Sequence, residues 1–405
     1  MKESNLKTMK KKYFLILGLS FLVTTPEGIL ISKAIAKEES SQRWSQKMQS
    51  LLSVFADLLT DTSSEKRFNQ KENQKKIQSH INKINSLAHD LKGMKSSNPD
   101  PSLALMTQLF AEEATRAKEA LQLGRRSYAR SIIQSLPGYC IECHTSSQTG
   151  PQFTELSIKP TTPLYGVEKG EFLAATRQFD RALDEFKQVI LDAQAAKTKP
   201  LDWNRAVYYS LAISVRVKKD ADLALGIAQS VLDQKNSPYY MTQDAQAWKK
   251  SILDWKKEPS QTFNSEEGYR QEMLRLTSAA HEAQKYPMDR SADILYLRAS
   301  AAAHDLLQKY PQGPQSSEAF LFAGISYEVL KPAKVDDLHE FYYQACIQRT
   351  PHTPTAELCY KRLESSIYLG YTGSSGTTIP TPILEKLSQL KKLAEPTQII
   401  HHPQL

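Results

Sequence analysis

The chain has 405 residues with 52 basic and 44 acidic side chains, a formal net charge of +8, and is long enough for two domains. Residues 1–36 hold six basic and two acidic side chains, residues 37–160 seventeen and thirteen, and residues 161–405 twenty-nine of each. Half of the excess therefore belongs to the first 36 residues, and nothing argues for a nucleic-acid partner.

Lys7 and Lys10 to Lys12 form a basic flank, Tyr13 to Val23 an apolar run, and Ala34-Ile35-Ala36 a small-x-small site. Residues 1–36 read as an export signal, with Lys37 as the first mature residue and a periplasmic destination. The run is too short to span a bilayer comfortably. Glu27 and Lys33 sit awkwardly before a cleavage site, so retention as an anchor stays open. No other segment reads as an integral membrane domain. No cysteine precedes Cys140, which excludes a lipoprotein anchor.

Four amphipathic segments follow. The first carries Trp44, Met48, Leu51, Phe55 and Leu58 at alternating four- and three-residue steps. The second carries Ile77, Ile81, Ile84, Ala88 and Leu91, and the third Leu103, Met106, Phe110, Ala117 and Leu121. The fourth carries Ala129, Ile132, Leu136, Cys140 and Cys143. This is the seam of helices packed at shallow angles. Asp61 to Ser64, Ser96 to Pro101 and Leu123-Gly124 supply turns. Pro137-Gly138 interrupts the fourth helix just before the cysteines.

Cys140-Ile-Glu-Cys143-His144 matches C-x-x-C-H, the covalent attachment motif of c-type haem. Thiols three residues apart share one face of a helix and meet one porphyrin edge, and the adjacent histidine takes the iron as proximal ligand. Export fits, because c-type haem is attached outside the bacterial cytoplasm. A zinc site lacks a second Cys or His pair nearby. A non-haem scaffold, with Cys140 and Cys143 as a disulfide, is a further alternative.

Helix count, helix length and the terminal place of Cys140, Cys143 and His144 make residues 40–147 resemble the cytochrome c′ / cytochrome c-556 family and its haem-b relative cytochrome b562. The resemblance implies a four-helix bundle with haem c held near the end of the last helix. The family continues with an aromatic and a basic residue after the histidine, whereas Thr145-Ser146-Ser147 follows here. In low-spin relatives a methionine near the start of helix 1 reaches the iron, and Met48 occupies the matching place. A core methionine, an open distal side, and ligation by His80 or His89 are the other readings.

A Ser/Thr/Pro-rich connector, residues 148–164, separates this cytochrome domain (37–147) from a second helical region, 165–395, with a tail over 396–405. There Tyr208, Leu211, Ala212 and Val215 precede Ala224, Ala228 and Val231. Phe179, Ala182, Phe186 and Val189 form an earlier second helix; Phe320, Ala323, Gly324 and Tyr327 precede Tyr343, Cys346 and Pro351. These spacings resemble tetratricopeptide repeats, and Tyr310-Pro-Gln-Gly-Pro314 resembles the repeats of bacterial envelope assembly proteins. The resemblance implies a helix-hairpin solenoid with a concave face for a protein partner. Cys346 and Cys359 flank the turn Thr350 to Pro354 nearly level with each other, so they pair across a hairpin or stay as buried thiols. Gly370 to Gly376 is a break before a last helix.

The whole reads as all-α: an exported monohaem c-type cytochrome that transfers electrons to a redox partner protein docked by its helical repeats. Electron carriage is favoured over catalysis. A high-spin, gas-binding or weakly peroxidatic haem is the alternative of a different class.

Overall fold

The computed structural model describes residues 26–94, 100–146, 164–259, 263–287, 289–332 and 334–396, with the backbone alone over 26–41. The apolar run to Val23, the connector up to residue 163 and His401-His402 lie outside the described residues, and Ala34-Ile35-Ala36 falls within the first helix. The described chain is all-α apart from one antiparallel pair of two-residue strands. Among the described residues no helix is long and apolar enough to cross a membrane.

The N-terminal part comprises α1 (Pro26–Thr62), α2 (Glu65–Asn69), α3 (Lys71–Gly93), α4 (Pro101–Gln122) and α5 (Arg126–Ser146). Its core is built from Leu51, Phe55 and Leu58 of α1, Ile77, Ile81 and Ile84 of α3, Met106 and Phe110 of α4, and Ile132 and Leu136 of α5. The four long helices alternate in direction. Lys47, past the middle of α1, pairs with Asp90 near the end of α3, while Asp61 at the end of α1 pairs with Lys76 in the first half of α3. Thr62, closing α1, offers its carbonyl to Arg130 and Gln134 of α5. Asp100 caps α4 by accepting from the Ser102 N–H, with Pro101 in the first turn. The short α2 was not visible in the apolar pattern: Ser64 caps one turn that buries Phe68, and the Arg126 guanidinium lies 4.7 Å from that ring's centre.

The interruption expected at Pro137-Gly138 is absent, and α5 runs unbroken through both. Packing on two sides accounts for this. At 3.6 residues per turn, Ala129, Ile132, Leu136, Cys140 and Cys143 share the face toward α1 and α4. Gly138, Ile141, Glu142 and Thr145 occupy the other face, and these too are buried.

What covers that second face is the C-terminal part. It starts with α6 (Val167–Ala175), α7 (Phe179–Leu191), α8 (Ala193–Thr198) and α9 (Pro200–Ala212), which continues as a π-helical turn, Ile213–Val217. Then come α10 (Ala221–Asp233), α11 (Tyr239–Trp255), α12 (Glu266–Ala283), α13 (Asp293–Lys309), α14 (Ser316–Leu330), α15 (Leu338–Arg349), α16 (Pro354–Gly370) and α17 (Thr381–Ala394). From α12 to α17 each helix packs on the next, while α5 meets α6, the π turn and α13. The two parts share one continuous apolar core. The expected break at Gly370 to Gly376 is instead a small hairpin in which Thr372–Gly373 pairs with Gly376–Thr377.

One packing device occurs twice. A Cβ on Gly324 of α14 would come within 2.5 Å of the Tyr343 ring of α15, and one on Gly170 of α6 would run into the Phe186 ring of α7. Each glycine lets an aromatic ring of the next helix lie against backbone. Gly324→Ala is therefore expected to destabilise the fold by about 1–3 kcal/mol through overpacking. Urea denaturation of the variant checks this; a midpoint equal to wild type contradicts it.

Cys346 and Cys359, both fully buried, form a disulfide between α15 and α16 with Cα atoms 6.3 Å apart. The bond closes a short loop, so its removal in Cys346→Ala/Cys359→Ala is expected to destabilise by up to about 3 kcal/mol. Alkylation under denaturing conditions without reductant should label neither cysteine; label on both would contradict the bridge.

Candidate functional site

The haem motif lies in the last two turns of α5. Cys140 and Cys143 are free thiols on the core-facing side, half-buried, each keeping a strip of accessible surface. They sit deep enough that burial pushes both thiols up to about 12, with the neighbouring Cys143 adding to the rise at Cys140 and Asp100 adding to it at Cys143. A dithiol that works by exchange needs the opposite, a depressed thiol.

His144 lies at the border between the two buried faces of α5. Its Nδ1 is 2.8 Å from the carbonyl oxygen of Ala175, at the end of α6. A carbonyl only accepts, so Nδ1 carries the proton and Nε2 keeps its lone pair. Burial, and then the nearby Arg177 guanidinium, pull the imidazole down to about 4. The ring is therefore neutral at physiological pH with a fixed tautomer, the state in which a histidine ligates iron.

Met48 lies past the middle of α1, beside Lys47, whose partner Asp90 is near the end of α3. On α1 the stripe Met48, Leu52 and Ala56 is half-buried, while Leu51, Phe55 and Leu58 beside it are buried. As a whole, α1 packs broadly on α3 and only narrowly on α5. Two thiols on one helix face beside a neutral imidazole with Nε2 unprotonated are the donor set that haem c takes.

The histidines of α3 divide. His89 is exposed at the Met48 end with Nε2 3.0 Å from the Thr115 hydroxyl. His80 sits toward the opposite end, 4.0 Å from Asp61, too far along the helix to serve the same site. Among the described residues no group of three or more His, Cys, Asp or Glu is arranged to hold a metal ion.

A buried polar network backs the motif, and the sequence pattern did not reveal it. Glu142, between the two cysteines, is 1 % exposed and pairs at 2.7 Å with Arg216 of the π turn, itself buried. The Tyr208 hydroxyl donates to the other Glu142 oxygen at 3.2 Å. Arg216 also donates to the Ser300 hydroxyl at 3.0 Å and lies 5.0 Å from the Tyr327 ring centre. His304 Nε2 is 2.9 Å from the Tyr327 hydroxyl, and its Nδ1 is 3.5 Å from Ser102 Oγ on α4. Burial, and then Arg216, bring His304 down to about 3, so it acts as a neutral hydrogen-bonding bridge. The chain Glu142, Arg216, Tyr327, His304, Ser102 ties α5 and the start of α4 to the C-terminal helices. The one signal for it was a lone charge in each of two apolar stretches, Glu142 in α5 and Arg216 after Leu211 to Val215.

The tryptophans serve packing. Trp203 Nε1 donates to the Ile190 carbonyl, Trp248 Nε1 to that of Arg290, and Trp255 lies under Arg298.

No family model, no curated protein and no solved structure matches this chain.

Proposed function

We propose that the chain is an exported c-type cytochrome, with one haem c on a four-helix bundle and a tetratricopeptide-like solenoid that docks a protein partner. The observation that carries this reading is the state of the motif: two free thiols on one helix face beside a histidine whose Nδ1 proton is held by the Ala175 carbonyl. When bound, the haem would supply a one-electron iron centre, taking an electron from a reduced donor protein and passing it to an oxidised acceptor protein. Cys140 and Cys143 would hold the group by thioethers. His144 presents Nε2, with the Ala175 carbonyl fixing the ring.

Met48, half-buried on α1, is the residue proposed as the second iron ligand. Met48→Ala is expected to convert a low-spin visible spectrum to high-spin and to admit carbon monoxide. An unchanged spectrum would make Met48 a packing residue. A high-spin spectrum in the wild type would favour the gas-binding reading. Haem staining on a denaturing gel tests the reading as a whole: a stained band is expected, and an unstained one contradicts it.

A further inference from the structure

One cavity among the C-terminal helices holds a carboxylate without a partner. The cavity is about 540 Å³ in volume and is lined by α9, α11, the start of α13 and the loop after α14. Its size suits a small organic ligand. Val207, Leu211 and Met241 make it apolar, and Tyr208, Tyr240 and Trp248 give it aromatic walls. Leu201 and Tyr240 stand exposed at its mouth. On α11 the buried stripe runs Met241, Asp244, Ala245, Trp248 and Ile252. A carboxylate within such a stripe is unfavourable unless it is paired. Asp244 is 8 % exposed and lines the cavity, with no hydrogen bond or ion pair among the described residues.

The other charges lining the cavity are matched. Arg290 pairs with Asp293 at 2.7 Å, Arg205 with Asp202 at 3.0 Å and Lys334 with Glu171 at 2.8 Å. At the exposed rim Lys331 and Asp336 interact with opposite signs. Of the described charges lining the cavity, Asp244 is the one left over. Burial, and then the Asp293 carboxylate, push its carboxyl up to about 6, with Arg290 opposing and Asp289 adding, so it is ionised at neutral pH. A positive charge on an apolar body would satisfy both the carboxylate and the walls, because aromatic faces also attract cations. A metal ion needs more ligands than one carboxylate, and no group of three or more His, Cys, Asp or Glu stands here among the described residues. We propose that this cavity binds an organic cation, an ammonium or guanidinium group on an apolar stem, with the charge on Asp244 and the stem against Tyr208, Tyr240 and Trp248. A free amine and the basic side chain of a protein share this chemistry. The site has no residue in common with the haem motif and is independent of it.

The test is saturation-transfer NMR on the full chain with n-butylamine and n-butylguanidine, and with n-butanol and butyrate as neutral and anionic controls. Wild type is compared with Asp244→Asn and Tyr240→Ala. At least one of the cations should give saturable transfer, and the controls none. Asp244→Asn should weaken binding by about tenfold or more through loss of a charge-assisted hydrogen bond. Its thermal unfolding midpoint should stay at or above that of wild type, because a buried unpaired charge is gone. Tyr240→Ala, at the exposed mouth, should weaken binding by about two- to fivefold and leave the fold intact. The peptide acetyl-Gly-Lys-Gly-amide separates the two sources. Binding at least as tight as that of n-butylamine assigns the site to a protein side chain, and weaker binding assigns it to a free amine. Absence of binding by both cations overturns the proposal, as does equal binding of n-butanol or undiminished binding in Asp244→Asn. A much lower unfolding midpoint in Asp244→Asn also overturns it, since the carboxylate would then serve the fold and not a ligand.

Discussion

Glu142→Ala is expected to destabilise the protein by about 3–5 kcal/mol, the cost of leaving one half of a buried ion pair uncompensated. Arg216 and Glu142 are each 1 % exposed in their side chains, so water cannot replace the lost carboxylate. The same change removes the acceptor of the Tyr208 hydroxyl. Glu142→Gln keeps an acceptor for Tyr208 and should lie between alanine and wild type. The double variant Glu142→Leu/Arg216→Met removes both charges and should recover most of the loss. Denaturant unfolding of the haem-free protein reads all three. A single-variant loss below about 1 kcal/mol would place the pair in effective contact with water.

The second large effect concerns the thiols. Cys140→Ser/Cys143→Ser is expected to abolish covalent haem entirely, because a hydroxyl does not add to the haem vinyl groups as a thiol does. Each single variant should keep one thioether. The fold should survive the double change, since the two sulfurs are half-buried and form no disulfide. Haem staining and circular dichroism on the same samples separate loss of attachment from loss of structure. Stain retained by the double variant would contradict the assigned attachment points.

The helices of both parts were legible because their apolar spacing is regular: Ile77, Ile81, Ile84 and Ala88 are all fully buried. What the pattern could not convey was packing on a second face. Read alone, α5 has one apolar stripe. In the fold its back, with Gly138, Ile141 and Thr145, is covered by α6, the π turn and α13. Glu142 and Arg216 are partners buried in that second interface. It also explains why Pro137 sits in an unbroken helix: neighbours on two sides hold the turn that a proline alone would loosen. In α7 the pattern put Val189 inside, whereas Ile190 is buried and Val189 half-buried, a shift of one residue along the same face. At the candidate site the motif residues were legible from spacing alone. The Ala175 carbonyl that holds His144 was not, because it comes from α6, across the connector and outside the motif.

The most direct measurement is the intact mass of the full chain produced with export and haem attachment, together with its reduced visible spectrum. The account predicts a polypeptide heavier by one haem that survives denaturation, lost in the Cys140→Ser/Cys143→Ser variant. A mass equal to the bare polypeptide would contradict it.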